Sequence, residues 1–248
     1  MPALLPPPRT GAARLLDPEH LTRVEDGERL HALLWRLGPG WRMVSSAVLG
    51  GGIAERAWVL NAQVAHGYRR TDPARHLAGL ARAAGARGPG VGLMTAADVS
   101  AHGRARDGGA EAVATAGVSV RGWAAAPQKC TTGVAQRERT TGAVPQECAT
   151  GAVPPGTVNI VVGLPVALSD AALVNAVMTA TEAKVQALLD AGLDCSGTPT
   201  DAVCVAARAP RDGAEVHAFA GPRSEWGARL ARAVHRAVGA AIPAAAHP

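Results

Sequence analysis

Apolar positions along this chain fall into short continuous runs and into a recurrence of about 3.6 residues, and their order predicts the elements. Leu21–Glu25 and Glu28–Leu37, joined by Asp26-Gly27, read as a β-hairpin, because Asp-Gly suits a type I′ turn. Gly38-Pro-Gly40 turns the chain into a third strand, Trp41–Leu49, which runs into three glycines. Ala57–Val64 is a fourth strand, and Asp72-Pro73 opens a helix through Leu77, Leu80 and Ala84 to Gly85. Gly90–Thr95 is a buried strand, Thr95–Asp98 caps a short helix, and Glu111–Trp123 supplies a further strand. Thr157–Leu164 is a β-branched run, again strand-like. Ser169 and Asp170 then offer an N-cap and a first-turn negative charge, and Gly192 closes one helix of about six turns. After the polar turn Ser196–Asp201, Ala202–Ala207 is a buried strand and Glu215–Ala220 a last one. Ser224 leads into a helix with Trp226, Leu230, Val234 and Ala237 inward and Arg229, Arg232 and Arg236 outward.

Strands joined by tight turns are antiparallel. The expected fold class is therefore α+β: one mixed, largely antiparallel sheet of about eight strands layered with three or four helices. It forms a single domain over residues 17–240, with a proline-rich disordered tail at 1–16 and a frayed end at 241–248. Residues 124–155 repeat Thr-Gly-Val-like units among prolines and read as a low-complexity loop inserted between two strands.

The long helix divides into two faces. Val174, Val177, Met178, Thr181, Val185, Leu188 and Leu189 share the arc expected to pack on the sheet. Asn175, Thr179, Glu182 and Gln186 form a polar stripe, either a solvated face or a row of ligand contacts. Lys184 projects among Leu173, Val177 and Leu188, where it either snorkels to water or sits desolvated.

Composition narrows the function classes. The net charge of +5 is spread without a block of like charges, and only Lys129 and Lys184 are lysines, so nucleic acid is not the expected partner. Neither a signal peptide nor an apolar run of the ~18 residues a span needs is present, which points to the cytoplasm and away from membranes. Cys130, Cys148, Cys195 and Cys204 lack CxxC spacing and are expected as reduced thiols. The eight histidines are scattered, so no metal site is expected; His66 and His102 stay open as general bases that the fold could bring together. No Walker loop, GxGxxG or Ser-His-Asp order occurs.

Five stretches carry a more specific signal. They are Ser45–Gly52 (SSAVLGGG), Val91–Val99 (VGLMTAADV), Gly156–Asn159 (GTVN), Leu168–Lys184 (LSDAALVNAVMTATEAK) and Ser196–Val203 (SGTPTDAV). Together they resemble the adenosylcobinamide amidohydrolases, corrinoid-salvage enzymes, in order over roughly residues 40 to 240. The chain departs from that pattern at Gly50, where asparagine is common, and at Pro199, where glycine is.

The resemblance implies hydrolysis of the amide joining aminopropanol to a corrin side chain, giving adenosylcobyric acid and 1-amino-2-propanol. No cofactor of the protein's own is expected, since the cobalt belongs to the corrinoid substrate; a homo-oligomer stays open. Such a reaction needs an activated nucleophile, donors for the oxyanion and an acid for the amine. The catalytic candidates are Ser45, Ser46, Thr198, Thr200, Asp201 and Lys184, with only one of the adjacent serines able to face a given site. Gly51, Gly52, Asn61, Asp98, Asn159, Asn175, Thr179 and Glu182 are candidates for binding the substrate's peripheral amides. The expectation is that the strand ends and the Asn/Thr helix stripe converge on one cavity. A corrinoid-binding protein without catalysis is the alternative.

Overall fold

The computed structural model describes residues 14–126 and 156–243. The expected tail up to residue 13, the insertion from 127 with Cys130 and Cys148, and the end from 244 lie outside the described residues.

The hairpin forms as its turn chemistry dictates. Strands β1 (Glu19–Glu25) and β2 (Glu28–Arg36) pair antiparallel, and Asp26 and Gly27 both take the positive φ of a type I′ turn, 51° and 82°. β3 (Trp41–Ser45) ends four residues earlier than expected, and β4 (Gly52–Glu55) returns alongside it. β5 (Trp58–Gln63) and β6 (Gly90–Thr95) are parallel, linked through helix α1 (Pro73–Ala83). Pro73 opens α1, but Asp72 gives its carboxylate to Arg70 and makes no cap hydrogen bond. The short helix expected at Thr95–Asp98 is a turn in which the Ala97 amide donates to Thr95 Oγ1 at 3.0 Å. β7 (Gly103–Asp107) and β8 (Ala110–Gly117) make a second hairpin, and β9 runs the full length of Thr157–Leu168. Helix α2 (Asp170–Asp190) crosses to β10 (Ala202–Arg208), parallel to β9; the two-residue β11 (Val216–His217) and helix α3 (Glu225–Ala241) follow.

The fold is α+β and mixed, as expected, but its eleven described strands form two stacked sheets rather than one. The first has the order β1-β2-β5-β6, the second β4-β3-β10-β9-β8-β7 with β11 beside β9. Alternation along the strands explains the stacking, because successive side chains face opposite ways. Leu33, Trp35, Val59, Val91 and Leu93 point one way and meet Met43, Val113, Val161, Cys204 and Ala206 of the second sheet. Their neighbours Ala32, Leu34, Leu60 and Ala62 point the other way, onto Leu77 and Ala81 of α1. The outer face of the second sheet, with Ala112, Ala114, Ile160, Val162 and Val205, is covered by α2 and α3. Four layers result: α1, sheet, sheet, α2 with α3.

The face of α2 that packs is not the expected one. Ala172, Leu173, Ala176, Ala180, Ala183, Ala187 and Leu188 are buried, whereas Val174, Met178 and Leu189 are 50%, 55% and 45% exposed. Alanines let α2 lie close to the sheet and to α3, so the larger side chains turn outward. Leu15 and Leu16, expected in the tail, are docked: their amides donate to Glu111 Oε1 and Oε2, each at 3.0 Å, and Leu16 is fully buried.

Candidate functional site

Strand ends of the two sheets meet at a cleft of about 530 Å³ lined by Ser46, Val64, Tyr68, Thr95, Thr157, Thr200 and Asp201, among others. The two serines part company there. Ser45 is buried, donates to Val203 O at 2.9 Å and accepts from the Ala47 amide at 3.1 Å. Ser46, one residue on, is exposed in the cleft, and its Oγ accepts from the Val203 amide at 3.1 Å. That leaves the Ser46 hydroxyl proton free to point at a ligand.

Gly50 follows in the left-handed region at φ 71°, where a Cβ would stand 2.0 Å from the Gly90 carbonyl oxygen. Glycine is thus required where the family pattern has asparagine. Gly51 and Gly52 are exposed and outside the cleft lining, with Gly52 pairing Ser45 at the start of β4.

Asp201 is the electrostatic centre. Its Oδ2 accepts from Lys184 Nζ at 2.5 Å and from the Thr198 amide at 3.2 Å, and its Oδ1 from the Val158 amide at 2.8 Å and the Thr198 hydroxyl. Four donors ask for an ionised carboxylate and leave it little capacity to act as a base. Lys184 is desolvated rather than snorkelling, with its side chain 8% exposed. Gly197 makes room for the pair, since a Cβ there would approach Asp201 Oδ2 to 2.3 Å and Lys184 Nζ to 2.5 Å. Thr200 donates to the Gly156 carbonyl at 3.1 Å, so the 2.6 Å contact with Thr157 has the Thr157 hydroxyl as donor.

Asp201 also lines a second hollow of about 420 Å³ with Arg121, Trp123, Lys184, Gly197 and Thr198. The Lys184–Asp201 pair therefore stands in the wall between two openings. Gly122 and Gly197 are bridged across that hollow, the Gly122 amide donating to Gly197 O at 3.0 Å.

Beneath the cleft the two strand asparagines join the sheets. Asn159 Nδ2 donates to Asn61 Oδ1 at 2.8 Å and to Met94 O at 3.0 Å, and Asn61 Nδ2 donates to Thr115 Oγ1 at 3.1 Å. Both are buried, and Asn159 Oδ1 has no partner.

Other candidates lie elsewhere. Thr179 donates to Ala220 O at 2.8 Å, and Asn175 Oδ1 accepts from the Ala220 amide at 3.3 Å, so both hold the approach to α3. Glu182 is exposed on the outer face of α2. Asp98 is exposed and binds its own turn through the Ser100 amide and hydroxyl, at 2.9 and 2.8 Å. The strand ends converge; the helix stripe does not join them. His66 is exposed, and His102 donates to Val99 O at 3.1 Å with its ring beside His20. Tyr68 and Thr157 line the cleft without having been picked out, although Tyr68 carried one signal: it is the only tyrosine in the chain.

The described cysteines are not nucleophiles, because burial pushes the Cys204 thiol up to about 12 and raises that of Cys195. Among the described residues no group of three or more His, Cys, Asp or Glu side chains could hold a metal ion, and no helix is long and apolar enough to cross a membrane.

The hydroxyl-lined cleft at the sheet ends, with a charged pair in its wall, lies in a chain that the comparisons place among the amide hydrolases. The family model described as adenosylcobinamide amidohydrolase matches residues 16–247. An adenosylcobinamide amidohydrolase of Methanosarcina mazei is 30% identical over 203 residues, covering 79% of this chain and 88% of that protein. The chain belongs to the adenosylcobinamide amidohydrolase family.

Proposed function

We propose that the protein hydrolyses the aminopropanol amide of adenosylcobinamide, releasing adenosylcobyric acid and 1-amino-2-propanol, in the salvage or remodelling of cobamides. The observation that carries this reading is the cleft at the sheet ends, built from stretches that carry the family likeness: Ser46 from one, Thr95 from another, and Thr157, Thr200 and Asp201 from two more. Its volume of about 530 Å³ suits a small ligand or a side arm. The corrin ring is wider, so the aminopropanol arm enters while the macrocycle rests on the rim. Ser46, with its oxygen tied to the Val203 amide and its proton free, donates to the oxyanion. Asp201 and Lys184 position the turn 198–201, and Thr200 orients Thr157 toward the same space. The protein uses no cofactor of its own, and the cobalt arrives with the substrate.

Incubation with adenosylcobinamide, followed by mass spectrometry, tests the reading. Cobyric acid and aminopropanol are expected in equal amounts, with turnover unchanged by a chelator. Tight binding of the corrinoid without product would overturn it in favour of a binding protein that does not catalyse.

A further inference from the structure

The second-sheet wall of the cleft offers donors but no free base. On the first-sheet wall, Tyr68 sits in the turn after β5 and lines the same cleft. Its hydroxyl is 3.1 Å from Nδ1 of His76 on α1, and the two rings are stacked with centroids 5.7 Å apart and planes within 9°. His76, 7% exposed, places Nε2 at 3.0 Å from Oε1 of Glu25 on β1, whose other oxygen takes Arg23 Nε at 2.9 Å. A carboxylate only accepts, so Nε2 carries the imidazole proton, Nδ1 presents its lone pair, and the Tyr68 hydroxyl donates to it. Residues from β1, the turn after β5 and α1 thus assemble a Glu-His-Tyr chain that ends in the cleft.

We infer that Glu25, His76 and Tyr68 form the acid–base relay of the cleft, with the Tyr68 oxygen exchanging protons with the reacting groups. This rests on the amide-hydrolysis reading above. Water attacks the amide carbon and forms the new C–O bond; its proton goes to the Tyr68 oxygen while the Tyr68 proton passes to His76 Nδ1. The imidazolium so formed faces the Glu25 carboxylate. As the C–N bond breaks, the departing nitrogen takes a proton from Tyr68, and His76 returns its own to Tyr68. One water is consumed, acid and amine are released, and the three side chains end as they began. Burial holds His76 below its ordinary range, against the pull of Glu25 and Asp72 and with the push of Arg70 and Arg23. Burial also raises Tyr68, with Arg70 opposing and Asp72 and Glu25 assisting. Both groups are therefore neutral near pH 7, the starting state the relay needs.

Tyr68→Phe keeps the ring and removes the relay's end; kcat is expected to fall about 100-fold or more with KM little changed. His76→Gln is expected to do the same if Tyr68→Phe proves poorly folded. Glu25→Gln removes the group that favours the imidazolium, so the acidic limb of the kcat profile moves to lower pH as the plateau falls. A Tyr68→Phe enzyme within threefold of wild type, or a Glu25→Gln limb that superimposes on the wild-type one, overturns the relay. The His76 titration followed by NMR in the wild type and in Glu25→Gln reads the chain without substrate, and its midpoint is expected to drop. An unmoved midpoint refutes the relay, whereas a drop in a protein that makes no cobyric acid refutes the substrate alone. Because Tyr68 is the only tyrosine, fluorotyrosine labelling gives one ¹⁹F resonance, expected to shift on adding adenosylcobinamide. An unmoved resonance in an active enzyme would sink the contact.

Discussion

Replacing Asp201 with asparagine keeps its shape and removes its charge, and the structure sets the size of the effect. Two donors converge on each carboxylate oxygen. An amide offers one acceptor and one donor, so in either orientation two donors face an NH₂ group. The Thr198 hydroxyl can rotate and accept; the Lys184 ammonium and the backbone amides cannot. Lys184 and Asp201 have side chains 8% and 14% exposed, so little water reaches the stranded charge. Breaking a buried pair from one side costs about 3–5 kcal/mol, and the slight exposure here favours the lower end, about 3 kcal/mol. At about 2–4 °C per kcal/mol for a chain of this size, Tm falls by about 6–12 °C. Lys184→Met in the same background removes the uncompensated charge and is expected to restore about 2 kcal/mol, a coupling that a double-mutant cycle of thermal melts at pH 7 measures. If Asp201→Asn melts within about 2 °C of wild type, or the two substitutions simply add, the pair is not the buried brace described here.

Three further outcomes follow from individual side chains. Ser45→Ala leaves the Ala47 amide without its acceptor, while the Val203 carbonyl keeps the Ser46 amide at 3.1 Å, and is expected to lose about 1–3 kcal/mol of stability with kcat preserved. Ser46→Ala is expected to melt near wild type and to lose about 100-fold in kcat at saturating substrate; equal activity of both variants would remove Ser46 from the chemistry. Asp107, clamped by Arg232 at 2.7 Å and Arg236 at 2.8 Å, is held down to about 2 from its usual 3.8. A depressed carboxylate stabilises the fold above its ordinary value and loses that contribution as the pH falls toward the depressed one. The wild type is therefore expected to lose Tm faster than Asp107→Asn between pH 3.8 and about 2, and parallel curves would contradict the clamp.

Local chemistry made much of the fold legible. The Asp26-Gly27 turn, the Ser169 cap accepting the Ala172 amide at 3.2 Å, and the inward face of α3 all follow from a few neighbouring residues. α2 misled because apolar side chains stand on both sides of its polar stripe, so periodicity cannot choose a face, and close packing chose the alanines over the bulkier Val174 and Met178. β7, sequence GRARD, carries no apolar run to reveal it and is defined by pairing with β8. The double sheet left a trace in strands such as β2, where both alternating sets are apolar, yet which layer each set meets is a long-range fact. For the site, the strand-end residues were readable because motifs cluster where chains turn. The Asn175/Thr179 stripe was not, because a polar helix face reads the same whether it meets a ligand or, as here, a neighbouring backbone. Tyr68 precedes α1 and His76 lies eight residues on, within it, while Glu25 ends β1, so no helix or strand periodicity relates the three.

The asparagine link between the sheets bears on how selectivity can arise. Met94, whose carbonyl takes the Asn159 amide, is part of the cleft lining, so the floor there is tied to both layers at once. Neither layer can slide or part locally without breaking these bonds, of which the Asn159–Asn61 and Asn61–Thr115 links are buried away from water. On the proposed reading a guest therefore meets a slot of fixed gauge, which leaves preference among corrinoids to the rim.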